Sequence, residues 1–229
     1  MPERMTGGVL FTAVVAVGSL WGLSEVLLNE AVRPVAEIPR AGVLCGTGAL
    51  LVGVALGCSR RIAPLLALPL VAIAIKQMVV PLVGATVTCK ANSCLGVLLQ
   101  GAAWTGLAAL STARRATLPR LIGVGAVGAL AAAVPFYLVG MRLAPCPYLL
   151  SFQGTGGLIA FASTDGVIWA ALSGIGLPIG HEIGRRLARP LRDVEARRPA
   201  LYWAASAAAI LGCWLVAALS ILSTGPLQP

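Results

Sequence analysis

The chain has 229 residues, of which 58% are hydrophobic and 11% are charged, and its formal net charge is +9. Soluble domains carry about 25% charged residues, so this composition excludes an ordinary soluble enzyme, a disordered chain and an ordinary nucleic-acid-binding domain. It indicates a polytopic helical membrane protein, and the 27 glycines suit helices that pack closely through small residues.

Seven apolar runs follow one another along the chain. They cover residues 8–28, 42–57, 64–84, 95–112, 121–140, 158–180 and 201–222. A hydrocarbon core of about 30 Å needs about 20 helical residues, with a range of about 17–25. The second and fourth runs are short, so six spans result if one of them is re-entrant. The predicted fold is therefore an all-α transmembrane bundle of about seven spans, a single domain over residues 1–229 without a soluble domain.

The basic residues lie in the gaps between these runs and predict the orientation. Twelve of them fall at the N-terminus or after the second, fourth and sixth runs, and four fall in the remaining gaps. Because cytoplasmic loops retain Lys and Arg, this bias places the N-terminus in the cytoplasm. We expect a multi-pass protein of a bacterial cytoplasmic (inner) membrane that contacts lipid and binds no nucleic acid. The basic stretch 185–198 is expected to be a cytoplasmic loop, or a short amphipathic helix on anionic lipid.

Ionisable side chains inside apolar runs are the best pointers to function, because a charge in hydrocarbon costs about 2.5–3.5 kcal/mol on insertion scales. Glu25, Lys76 and Asp165 are such residues, and Gln77 and Gln100 are uncharged companions. At about 1.5 Å per residue, the three charged residues and Gln100 lie about 5–12 Å below the outer ends of their runs. Four different helices thus place polar groups in one layer.

A substrate-binding pocket open to the outside is predicted from this layer, with Trp21, Glu25, Lys76, Gln100 and Asp165 as its residues. Trp21 and Glu25 share a helical face because they are four residues apart. One ammonium and two carboxylates suit a monocation, a proton or a zwitterion. The alternatives are a structural ion pair for Lys76, an interfacial belt position for Trp21 and an outward-snorkelling carboxylate for Glu25.

The six cysteines include no CxxC, and there is a single histidine, so no metal site is predicted. Cys89, Cys94 and Cys146 are expected in outer loops, where a disulfide is plausible in an oxidising compartment, with its pairing open. A thiol redox relay and a spare thiolate that binds a soft metal are the other interpretations. Cys45, Cys58 and Cys213 are interpreted as small packing residues.

Several sequence signatures of catalysis are absent from the chain. It has no Walker A sequence, no HExxH and no GxSxG with partners, so it is not expected to hydrolyse ATP on its own. A single histidine also excludes bis-histidine haem ligation. The sequence therefore favours a protein that is not an enzyme, and it assigns no cofactor.

The stretch GSLWGLSE at residues 18–25, followed later by Ile75 and Lys76, resembles the substrate-binding (S) components of energy-coupling factor transporters. The resemblance covers less than half of the chain. It implies a helical bundle that captures a vitamin, metal or related nutrient from outside, with a partner transmembrane subunit and two cytoplasmic ATPases. Such components usually have six helices, and the first helix carries a surface of small residues for the partner subunit. Ala13, Ala16 and Gly18 correspond to that surface here. The seventh apolar run departs from this pattern.

The leading hypothesis is an integral membrane transport protein that binds a small solute in an outward-facing polar pocket and depends on partner subunits for energy. One alternative is a non-catalytic structural subunit of a larger membrane complex, in which the polar layer serves helix packing. The other is a membrane thiol redox protein that uses the three outer cysteines.

Overall fold

The structure, a computed structural model, describes residues 7–32, 35, 39–59, 62–82, 91–111 and 117–224. All regular structure in these ranges is helical. The helices are α1 (Gly7–Val32), α2 (Arg40–Cys58), α3 (Leu68–Leu82), α4 (Ala91–Ser111), α5 (Leu118–Leu143), α6 (Pro147–Leu150), α7 (Gly157–Phe161), α8 (Val167–Arg197) and α9 (Pro199–Thr224). A 3₁₀ turn (Ala63–Ala67) leads into α3, and a π-helical turn (Ala162–Gly166) joins α7 to α8.

Six helical segments are long and apolar enough to cross a membrane, which confirms the prediction of an all-α multi-pass bundle. They are α1, α2, α4, α5, the continuous segment from α7 to α8, and α9. The second and fourth runs, which look short in the sequence, are helices of 19 and 21 residues because polar flanking residues extend them. The third run gives the shorter apolar helix, Ala63–Met78, whose first turns contain Pro64 and Pro69.

Helices α2 and α8 make the most extensive contact in the described fold, and their backbones touch. Glycines spaced four apart on α8 (Gly176, Gly180 and Gly184) face α2. A Cβ on Gly180 would collide with the carbonyl oxygen of Leu50, so only glycine permits this approach. Small-residue interfaces of this kind let van der Waals packing and weak polar contacts hold helices together in lipid, where the hydrophobic effect does not.

Helix α1 packs against α3 through two further glycines. A Cβ on Gly18 would lie 2.7 Å from Cβ of Val71, and one on Gly22 would lie 2.8 Å from Cβ of Ile75. Gly18, which the resemblance assigns to a partner-binding surface, therefore faces α3 inside the bundle. The indole ring of Trp21 is fully buried against Trp104 of α4, with their ring centroids 6.2 Å apart.

Helix α8 continues well past the apolar run that begins it. The segment from Gly157 to Arg197 has 41 residues, which corresponds to about 60 Å at 1.5 Å per residue, twice the thickness of a hydrocarbon core. The basic stretch 185–198 is therefore the helical extension of a span, not a separate loop, up to Arg197. Glu182 pairs with Arg185 and Arg186 on this extension, at spacings that suit a helix.

Helix α9 lies at the edge of the bundle and is mostly uncovered. Of the residues in its most apolar stretch, 11% are buried inside the fold, against 50% in α1. It is attached mainly to α1, where the indole N–H of Trp214 donates a hydrogen bond to Ser19 over 3.0 Å. The rest of its surface is available to lipid or to another protein.

We predict that the α2–α8 contact tolerates no side chain at Gly180. Gly180→Val should lower the free energy of unfolding by about 3 kcal/mol or more, since the new methyl groups overlap backbone atoms that cannot move aside. The matched control is Gly212→Val in α9, where a Cβ meets nothing within 4 Å. The stabilities of the two variants are measured by thermal unfolding in detergent, as the monodisperse fraction that remains after heating. Equal stabilities of the two variants would contradict the close approach of α8 to α2.

Candidate functional site

A buried ion pair joins α1 to α3. Nζ of Lys76 lies 2.8 Å from Oε2 of Glu25, and the two side chains are only 7% and 4% exposed. Each charge is therefore removed from water, and each has the other as its counter-charge. A structural ion pair is one of the alternatives that the sequence leaves open for Lys76, and Glu25 is its partner in the structure.

The carboxylate of Glu25 has a second partner on its own helix. The indole N–H of Trp21, one turn earlier, donates a hydrogen bond to Oε1 of Glu25 over 3.3 Å. The indole itself is held from α2, because a Cβ on Gly48 would lie 2.8–2.9 Å from its ring atoms. Trp21 is therefore a buried residue that orients the carboxylate, and the interfacial belt position does not apply to it.

Helix α4 supplies the remaining partner of the ammonium group. Nζ of Lys76 donates a hydrogen bond to the hydroxyl of Ser93, in the first turn of α4. Ser93 is exposed, whereas Lys76 is buried. The ion pair thus has a polar contact at the surface of the bundle.

Two amide side chains, one next to Lys76 in α3 and one at the start of α4, have unused acceptors. Nε2 of Gln77 donates to Sγ of Cys94 over 3.2 Å, and Nδ2 of Asn92 donates to Sγ of Cys146 over 2.9 Å. The oxygens of both amides, Oε1 of Gln77 and Oδ1 of Asn92, are buried without a hydrogen-bond partner among the residues described. Such groups are costly to bury, so each can accept a hydrogen bond from a ligand or a water.

Gln100 is buried on the same face of α4 as Ser93, since seven residues separate them. Trp104 follows one turn later on this face and contacts Trp21. Along α4, Gln100 therefore lies between the Ser93–Lys76 contact and the pair of indole rings, and its place in the predicted pocket stays a prediction.

The structure places Asp165 in a different part of the bundle. It lies in the π-helical turn, which packs against α5 and α8, and it accepts a hydrogen bond from Thr164 over 3.3 Å. Its other polar partner is Tyr148 of α6, whose pKa is raised by partial burial and by the phenol's hydrogen bond to the Asp165 carboxylate. Phe161, one turn before Asp165, is the centre of a cluster of aromatic rings.

The cysteines differ from the expectation in one respect. Cys94 is a buried residue inside α4, so its assignment to an outer loop is wrong; the helix begins at Ala91, before the apolar run. Cys94 and Cys146 are free thiols, and each accepts a hydrogen bond from an amide. Cys89 lies outside the described residues, and a disulfide or redox role that involves it stays a prediction.

The polar positions that the sequence analysis missed are Asn92 and Ser93. They stand just before an apolar run and were included in an outer loop. A signal for Ser93 is present in the sequence. The ammonium group of Lys76 needs hydrogen-bond acceptors, and polar residues at the start of the next helix can supply them. No group of three His, Cys, Asp or Glu side chains that could hold a metal ion occurs in the described parts of the chain.

Taken together, the described site is electrically neutral. One ammonium and one carboxylate are in contact, with an indole donor and a hydroxyl as their further partners.

Comparison with known protein families, with curated proteins and with solved structures finds no match to this chain.

We predict that the two charges stabilise the fold only as a pair. Lys76→Met alone should lower the free energy of unfolding by about 3–5 kcal/mol, because the buried carboxylate of Glu25 is left without a cation. Adding Glu25→Gln should restore most of that loss.

A double-mutant cycle by thermal or denaturant unfolding measures this coupling. The control cycle uses Glu182→Gln and Arg186→Gln, an exposed pair for which only a small coupling is expected. Additive effects at Glu25 and Lys76 would show that the pair does not form.

Proposed function

We propose that the chain is a multi-pass transport protein of a bacterial inner membrane, which binds a small polar solute between α1, α3 and α4. The observation that carries the proposal is the buried contact between Glu25 and Lys76. Replacing a buried ion pair by apolar side chains is often neutral or stabilising by about 1–4 kcal/mol, so such a pair is a poor device for stability alone. A pair that opens to exchange partners with a solute accounts for it better.

The proposed orientation puts this pair near the outer ends of its helices. We propose seven crossings, with α3 and the turn before it as the third, and a cytoplasmic N-terminus. The arrangement of α5 and α8 supports this orientation. Leu118 at the start of α5 borders the same groove as Glu182 and Arg186 of α8, so these residues lie at one end of the bundle. The excess of basic residues in the even-numbered gaps assigns that end to the cytoplasm.

The neutral site favours a dipolar solute, such as a molecule with one ammonium and one carboxylate. Its carboxylate would face Lys76 and its ammonium would face Glu25. Oε1 of Gln77, which follows Lys76 in the chain, supports a ligand with a further N–H or O–H donor, because this acceptor is buried and unused within the described structure. Exposed Ser93 marks the side from which a solute can approach Lys76.

The energy for transport is proposed to come from partner subunits, as the resemblance to S components implies. The chain itself has no nucleotide-binding signature. Two surfaces are available for such partners: the uncovered side of α9 and the extension of α8. The second candidate function, a non-catalytic subunit of a larger membrane complex, requires the same surfaces. The observation that favours it is the low burial of α9.

We predict that the purified chain binds a zwitterion and that the ion pair is necessary. Unfolding in detergent, followed by tryptophan fluorescence, should shift to higher temperature with at least one member of a panel of α-amino acids. Glu25→Gln with Lys76→Met should remain folded and lose the shift, because both charged contacts are gone.

The matched control is Glu182→Gln with Arg186→Gln, which should keep the shift. Native mass spectrometry of the wild-type chain should also detect a small-molecule adduct that the double variant of the site lacks. If no adduct and no shift occur, and the site variant loses only its association with other proteins, the structural-subunit function replaces transport.

A further inference from the structure

An apolar groove runs between α5 and α8 on the outside of the bundle, away from the ion pair. Its volume is about 810 Å³. Small residues form its floor, where Gly174 faces Ala126, and larger side chains such as Ile122, Ile175 and Ile179 border it. These isoleucines are 44–59% exposed, so the groove is open sideways, towards the hydrocarbon of a bilayer.

One end of the groove is charged. Arg186 and Glu182 line it there, and the following turns of α8 carry further arginines. From residue 182 to residue 193, four arginines and two acidic residues give the helix a net charge of +2. The face that lines the groove continues to Arg189, three residues after Arg186, which is exposed. An apolar channel that ends in a cationic surface matches a molecule with an alkyl tail and an anionic head.

The dimensions fit an acyl chain that starts at the arginines. Val167 and Arg186 mark the ends of the lining on α8, and the nineteen residue steps between them correspond to about 28 Å. This length is close to the whole hydrocarbon core, about 30 Å, and so exceeds the half of the core that an acyl chain of one leaflet spans. A chain anchored at Arg186 would therefore stay within the groove for its whole length.

We propose that this groove is a binding site for an anionic phospholipid, with an acyl chain between α5 and α8 and the phosphate against Arg186 and Arg189. A second copy of the chain is the less suitable occupant, since it would have to bury the exposed arginines of α8 against its own equally basic surface. Basic residues that flank a membrane-facing site attract anionic headgroups, and each contributes about a fivefold preference near the surface.

Native mass spectrometry of the full-length protein can test this in mixed micelles that contain equal amounts of phosphatidylglycerol and phosphatidylcholine. We expect retention of one phosphatidylglycerol molecule. Ala171→Phe, which places a ring in the groove, should abolish retention. Arg186→Gln with Arg189→Gln should reduce the preference for phosphatidylglycerol about tenfold or more.

Two matched variants control for the changes themselves. Ala131→Phe adds the same ring to an exposed position of α5 outside the groove, and Arg142→Gln removes an exposed arginine from the opposite end of α5. Both should bind as the wild type does, and size-exclusion elution checks that every variant is folded. Equal retention of the two lipids, an unchanged adduct in Ala171→Phe, or a dimer that Ala171→Phe dissociates would each overturn the proposal.

Discussion

The contact between Lys76 and Glu25 sets the strictest condition on how this bundle is assembled. A charge in the membrane interior needs its counter-charge within hydrogen-bond distance, so α1 and α3 have one permitted depth and one permitted rotation relative to each other. Gly18 and Gly22 allow the required approach, because neither puts a side chain between the helices. Ser93 then positions the start of α4, and Trp21 links the same carboxylate to α2 and α4.

The site lies between two parts of the bundle that are packed differently. Helices α2 and α8 touch backbone to backbone, and α5 packs on α8 and α4, which gives this side the densest helix contacts in the described fold. Helices α1, α3 and α9 form the other side, and α9 is largely uncovered. Trp21 connects the sides, since its ring rests on Gly48 of α2 while its N–H is bonded to Glu25. The more closely packed side, through Gly48 of α2, therefore holds the indole ring that orients the carboxylate of Glu25.

Hydropathy predicted the helices well but could not predict their arrangement around the bundle. Counting residues from the end of each run gives a depth, and two of the residues placed at similar depth, Glu25 and Lys76, are in contact. Asp165 satisfies the same count, yet it lies with Tyr148, because depth says nothing about which neighbours a helix has. The sequence does not predict the α2–α8 contact either. It shows that glycines recur every four residues in α8, but only the structure shows that they face α2. The extension of α8 is predicted as a loop because the basic residues from 185 onwards end the apolar run, although the helix itself continues to Arg197.

The separation of Asp165 from the pair changes the charge that a bound solute should have. With two carboxylates the predicted pocket would be negative and would suit a monocation. With Glu25 alone beside Lys76, a monovalent ion that binds one member leaves the other buried without a counter-charge, which costs about 3–5 kcal/mol when a buried pair is broken. A dipolar solute replaces both partners at once and leaves no charge unpaired. The neutrality of the described site is therefore the physical reason to propose a zwitterionic ligand, to which the unused acceptor of Gln77 would add a directional contact.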